Sequence, residues 1–341
     1  MRERTAFRIR SIVAVTAMSS VLGIWLGSRF EPTATAMLTG SITGALIGGT
    51  ITCGEIVLLQ RGEALRRLPV LLALALRSAA YLAVFFAAVA IAVVTVRLIG
   101  PGGAPVQAPA FTPSNFAISV SVAVAVNLFF TLRALLGAPT LTALLTGRYH
   151  QPRQEDRIVL FMDLRGSTTL AERLGDLDFH RFLNRVAFDV TDPVLESGGE
   201  IYRYVGDEII VTWKLATGAR DGAAVACIFA IAEALERRRG DYLGAFGAVP
   251  ELRAALHAGR LIVGEMGDVK REIVMLGDTM NTTARIEQAC RDLGRDIIAS
   301  GAALRAVTAL PPGVAAESLG PVALRGKEGE VELFALARRS P

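Results

Sequence analysis

Four long apolar runs lie before residue 140: Ser11 to Gly27, Ala34 to Leu59, Val70 to Val96 and Asn115 to Leu136. A helix rises 1.5 Å per residue, so about 20 apolar residues cross the hydrocarbon core of a bilayer. The last three runs have that length and the first just suffices. Beyond Asp156 the pattern changes to short strand-like runs alternating with segments of helical periodicity. Arg157–Met162 reads as a buried strand ending at Asp163, and Thr168–Leu195 as helix broken near Gly175. Glu200–Val205 and Glu208–Trp213 read as a β-hairpin across Gly206-Asp207. Ala219–Arg239 is helical by its apolar period and basic end. Leu252–His257 and Leu261–Met266 read as a second hairpin across Ala258-Gly259, followed by a helix over Asn281–Leu293 and a last strand at Val331–Ala335. Two βαβ-like halves with hairpins between helices predict an α+β sandwich, its helices on one sheet face.

Charge divides the chain at the same place. Through Arg153 there are 13 Lys/Arg against 4 Asp/Glu; the remainder holds 23 against 28. A basic, apolar half joined to a mildly acidic half excludes a single soluble domain, a disordered chain and a nucleic-acid binder, despite the pI of 9.2. Arg2, Arg4, Arg8 and Arg10 precede the first run, Arg61, Arg66 and Arg67 lie between the second and third, and Arg148 and Arg153 follow the fourth. The other connections hold Arg29 with Glu31, and Arg97 before a Pro/Gly stretch free of charge. The positive-inside bias therefore predicts a multi-pass protein of the inner (plasma) membrane with both termini cytoplasmic. Ala34-Thr35-Ala36 mimics a signal-peptidase site, but an uncleaved first run keeps the four spans consistent with the loop charges. Gly40, Gly44 and Gly48 share a helix face against which another helix can pack closely. Glu55 and Arg77 lie at cytoplasmic ends of spans, where Arg77 is expected to snorkel rather than pair with Glu55. The three cysteines have no metal-ligand spacing. The organisation expected is a four-span domain over 1–137, a linker over 138–156 punctuated by Pro139, Gly147 and Pro152, and a cytoplasmic domain over 157–341.

The chemistry-bearing residues sit at loops. Asp163 ends one strand and Asp207 tips a hairpin, and two such carboxylates lie side by side when the strands are neighbours. Paired carboxylates and a free backbone carbonyl suit Mg²⁺, which keeps several waters and takes its other ligands from substrate phosphates. Gly166-Ser167-Thr168 opens a helix, where backbone N–H groups make a seat for phosphate. Asn281 and Arg285 stand four apart on a helix, so an amide and a guanidinium share a face and can orient a sugar and stabilise phosphoryl charge.

These residues carry a resemblance. Residues 157–337 are similar to the catalytic domain of class III nucleotidyl cyclases, through FMDLRGSTTL (161–170), YRYVGDEIIVTW (202–213), LHAGRLIVGEMG (256–267), LGDTMNTTARIE (276–287) and LRGKEGEVELFAL (324–336). The resemblance implies a ferredoxin-like α+β domain that works as a homodimer with its sites at the interface. It implies that Asp163 and Asp207, with the Leu164 carbonyl, ligate two Mg²⁺ or Mn²⁺ per site. Asn281 would then orient the ribose, Arg285 would stabilise the transition state, and Lys327 would contact the triphosphate. The purine-reading positions are Arg203 and Val274; valine accepts no hydrogen bond, and the acceptor expected for guanine is missing, which favours ATP. The expectation is a membrane-anchored adenylate cyclase making 3′,5′-cyclic AMP and pyrophosphate. A guanylate cyclase, a diguanylate cyclase and a degenerate nucleotide-binding module are the alternatives. His180 and His257 read as structural, Lys270-Arg271 as capping a hairpin, and Glu208 as pointing away from the metals.

Overall fold

The computed structural model describes residues 2–30, 33–61, 68–99 and 113–339, and it divides into two compact units, Met1–Leu141 and Thr142–Pro341. Glu31, Arg66, Arg67, the Pro/Gly stretch at 100–112, and the side chains of Glu55 and of Arg2, Arg4, Arg8 and Arg10 lie outside the described residues, so the span orientation and the Glu55–Arg77 pair are expectations only.

The first unit is built from α1 (Arg2–Phe30), α2 (Ala34–Arg61), α3 (Val70–Ile99) and α4 (Pro113–Leu136). Three of them hold stretches long and apolar enough to cross a membrane: Ile12–Arg29, Ala34–Gly54 and Leu71–Leu98. The 24 residues of α4 carry Arg133 as their one charge. The glycine face of α2 receives α1. A Cβ on Gly40 would run into the Gly23 carbonyl, and one on Gly44 into the Ser19 carbonyl, so the backbones meet without side chains between them. Between α3 and α4, the buried Asn127 amide donates to the Leu74 carbonyl (2.9 Å) and the Ser78 hydroxyl (3.1 Å). Glycine contact joins α1 to α2, and a polar bond joins α3 to α4.

α5 (Ala138–Thr146) leads into the second unit. There follow β1 (Arg153–Leu164), α6 (Ser167–Leu174), α7 (Asp176–Glu196), β2 (Glu200–Val205), β3 (Glu208–Lys214) and α8 (Leu215–Ala219). Then come α9 (Ala223–Arg237), α10 (Arg239–Phe246), β4 (Leu252–Met266), β5 (Glu272–Leu276), α11 (Asp278–Asp292), β6 (Ile297–Ser300), α12 (Gly301–Ala306), β7 (Val314–Ala323) and β8 (Glu330–Arg338). The sheet runs β2-β3-β1-β4-β6-β8-β7, with β5 on the end of β4. Its pairs are antiparallel except β4 with β6.

Three readings of the sequence are corrected. Helices cover both sheet faces: Ile158, Leu160 and Met162 of β1 pack with Phe182 and Val190 of α7 and Ile228 of α9, whereas Val159 and Phe161 pack with Ile286 and Ala289 of α11. Burial on both sides is why β1 reads as a continuous apolar run instead of an alternating one. Leu252–Met266 is one strand, because Ala258 and Gly259 pair in register with Ile158 and Arg157 instead of turning. A Cβ on Gly259 would stand 2.6 Å from Thr279 Oγ1, so this glycine serves the approach of α11. The predicted helix over Ala219–Arg239 is split at Arg220–Gly222, where Asp221 takes a positive φ of 51°. Leu215–Arg237 is also apolar enough to cross a membrane, but 44% of it is buried in this unit as core.

Lys270 and Arg271 do cap a hairpin, that of β4 and β5, through ion pairs with Glu272 (2.5 Å) and Glu265 (3.3 Å). Ala143 and Tyr149, in the segment read as linker, join the apolar cluster of the α11 face. The nearby Arg157 is 2% exposed, and its guanidinium donates to Glu155, Glu200 and Thr212.

Candidate active site

Antiparallel pairing positions the two aspartates. Met162 of β1 lies opposite Ile209 of β3, so Asp163, the next residue, comes level with the hairpin tip that holds Asp207. Gly206 turns that tip at φ 64°. Asp163 also lies across from Arg253 of β4. Gly166 takes φ 68° and starts α6 with no side-chain cap, which leaves the first-turn N–H groups of Ser167 and Thr168 open. A cleft of about 340 Å³ results, lined by Asp163, Leu164, Gly166, Ser167, Thr168, Asp207, Arg253 and Arg291. Six of those eight are residues expected from the sequence.

The electrostatics of the cleft follow from burial of like charges. Asp163 is 7% exposed, and its carboxyl is pushed up to about 6, first by burial and then by the charge of Asp207 and a hydrogen bond with it. Arg291 opposes this, its Nη2 standing 2.6 Å from Asp163 Oδ2. The Glu208 carboxyl, which does not line the cleft, is pushed up to about 7, first by burial and then by Glu287, Asp163 and Asp207. Among the described residues no three His, Cys, Asp or Glu side chains form a metal cluster. The donor set is two carboxylates beside a backbone carbonyl. That suits a hard cation which keeps water and takes phosphate oxygens.

A second group gathers on α11. Asn281 and Arg285 are both exposed and lie on one face of it. Arg285 runs along the loop between β7 and β8, where a Cβ on Gly326 would stand 3.7 Å from its Nη2. Lys327 of that loop donates to Asp278 Oδ2 and Thr282 Oγ1, both at 2.7 Å. Asn281, Arg285 and Lys327 thus share one region, and none of them lines the cleft of their own chain.

Arg203 and Val274 are not paired with each other. Val274 is buried on β5, and Arg203 donates to Glu272, two residues earlier on that strand, at 2.6 Å. Tyr202 ties the same strands together, its hydroxyl accepting from the Met275 N–H at 3.0 Å. His257 is buried against Ser300 Oγ (2.7 Å) and is pushed down to about 4, mainly by burial and then by Lys327, so it stays neutral. His180 is exposed on α7.

Arg253, Glu287 and Arg291 were missed by sequence reasoning. Glu287 and Arg291 stand four apart and read as an ordinary surface pair. Nothing local in the sequence shows that Arg253 faces Asp163.

The family model described as "Adenylate and Guanylate cyclase catalytic domain" matches residues 149–338, more than half of the chain. The chain belongs to this family. The chain is 40% identical over 233 residues to adenylate cyclase 2 of Rhizobium meliloti (strain 1021), covering 68% of this chain and 64% of that protein. Adenylate cyclase of Anabaena cylindrica is 29% identical over 153 residues, 43% of this chain and 30% of its own. The chain therefore spans less than two thirds of these curated relatives. Among solved structures, a bacterial light-regulated adenylyl cyclase aligns with a TM-score of 0.56 at 19% identity, over 66% of this chain and 65% of that one, a likeness of fold.

Proposed function

We propose that this cyclase converts ATP to 3′,5′-cyclic AMP and pyrophosphate, anchored in a membrane by its N-terminal helices with the catalytic unit in the cytoplasm. The observation that carries the reading is the cleft in which Asp163 and Asp207 meet beside the open N-terminus of α6. The named adenylate cyclases at 40% and 29% identity support it.

Asp163, Asp207 and the Leu164 carbonyl would hold two Mg²⁺ or Mn²⁺, which when bound offset the triphosphate charge and lower the pKa of the ribose 3′-hydroxyl. The chain's own groups do the positioning. First-turn N–H groups at Gly166, Ser167 and Thr168 hold phosphate oxygens, and Arg253 adds a positive charge to the same wall. Asn281 orients the ribose, and Arg285 stabilises charge on the α-phosphate as the 3′-oxygen attacks in line and pyrophosphate leaves. Lys327 contacts the triphosphate after leaving Asp278. Since Asn281 and Arg285 do not line the cleft of their own chain, the complete site takes them from a second copy. A two-fold homodimer then has two equivalent sites.

Glu272 favours a second reading, a guanylate cyclase, because its carboxylate beside Arg203 is an acceptor suited to guanine N–H groups. Incubating the full chain with ATP or GTP and Mn²⁺, with chromatography of the products, tests both. Cyclic AMP from ATP as the faster product is expected. Faster cyclic GMP overturns the choice of base, and the absence of any cyclic nucleotide overturns the enzyme.

A further inference from the structure

Arg291 sits where a cation is expected. Its Nη2 lies 2.6 Å from Asp163 Oδ2 and 3.0 Å from Glu287 Oε1, and its Nε lies 3.2 Å from that same Glu287 oxygen. The two anchors are buried and the arginine is not: the Asp163 and Glu287 side chains are 10% and 11% exposed, whereas that of Arg291 is 44% exposed. Arg253 lines the same cleft, but it is Arg291 that bonds the Asp163 carboxylate. The charge on Asp163 is thus matched by one particular arginine, held by a buried glutamate of its own helix. Glu287 stands two residues, about 200° of turn, beyond Arg285, so α11 presents one pair of groups to the cleft of its own chain and another away from it.

We infer that Arg291 is an internal counter-ion for Asp163 that competes with a divalent cation for the carboxylate and so sets how readily that cation enters. A guanidinium N–H and a hard cation want the same oxygen lone pairs, and a charge-assisted bond must break before the metal takes them. The exposure of Arg291 lets it leave toward water at little cost, while the Glu287 tether keeps it at hand to return. This inference rests on the proposed reading of Asp163 as a metal ligand.

The test is Mn²⁺ binding to the full chain in detergent without nucleotide, with free Mn²⁺ followed by electron paramagnetic resonance. Arg291→Gln is expected to bind Mn²⁺ roughly tenfold more tightly than the unaltered chain. Arg291→Lys, which keeps a charge but loses the planar fork, is expected to fall between the two. Asp163→Asn is expected to lose the site. If Asp163→Asn weakens binding and neither Arg291 variant tightens it, the counter-ion role is overturned and the metal reading stands. If Asp163→Asn binds as the unaltered chain does, the metal reading falls, and this inference with it. A thermal melt of each variant shows which are folded; should Arg291→Gln not fold, the lysine variant alone decides.

Discussion

Glu208, Asp163, Asp207 and Glu287 crowd into one acidic group because β3, β1 and α11 meet there, and burial makes their charges costly. The carboxyls of Asp163 and Glu208 sit at about 6 and about 7, so the folded chain holds protons that the unfolded chain has already released. More protons bound in the folded state means stability falls as pH rises, here across the window from about pH 4 to about 7. Glu208→Gln removes one of these charges. The metal-free variant is expected to be more stable than the unaltered chain at pH 8, by about 1–2 kcal/mol after allowance for partial exposure, with the difference fading toward pH 4. Chemical denaturation at the two pH values checks this. Asp163 and Asp207 were legible in the sequence because a carboxylate ending a strand and another at a hairpin tip are local patterns. The charges that Glu208 feels were not legible, because which elements meet β3 depends on a helix some 70 residues away.

At the scale of elements, α11 depends on one glycine. Thr279 Oγ1 donates to the Arg260 carbonyl at 2.6 Å, and the Gly259 backbone leaves room for that side chain. Gly259→Val would force the first turn of α11 away from β4. A loss of about 2 kcal/mol is expected, together with a fall in cyclase activity as Asn281 and Arg285 shift. Thermal melting and product formation measure the two effects, and a variant that is as stable and active as the unaltered chain would refute the packing argument. Ala258-Gly259 looked like a turn for the same reason: a small residue in a strand signals either a bend or a close neighbour, and local sequence does not say which. β6 has only four residues and pairs parallel to β4, and β7 contains Gly320, Pro321 and a register shift against β8. Neither gives the alternation by which a strand is read. Hydropathy alone is equally blind for Leu215–Arg237, whose apolar length serves the interior of the catalytic unit.

The whole molecule is expected to work as a pair of chains. Asp207→Ala and Arg285→Ala should each be inactive as homodimers, through loss of different halves of the site. Mixed, half of the dimers are mixed pairs with one intact site of two, so recovery of about a quarter of the original activity is expected. An assay of co-expressed chains, with heterodimers verified by differential tags, measures it. No recovery despite stable heterodimers would mean that each site is built within one chain.

The sequence by itself determined what is local or periodic. It marked the apolar helices, the change of pattern near residue 156, the hairpin carrying Asp207 and the i,i+4 pairing of Asn281 with Arg285, since each is written in spacing a few residues long. Tertiary structure alone decided that helices cover both sheet faces, that β4 runs straight through Gly259, and that Arg253, Glu287 and Arg291 surround the aspartates. Those relations come from strand order and from a helix packed across the sheet, and side chains brought together from distant positions leave no mark on the residues beside them.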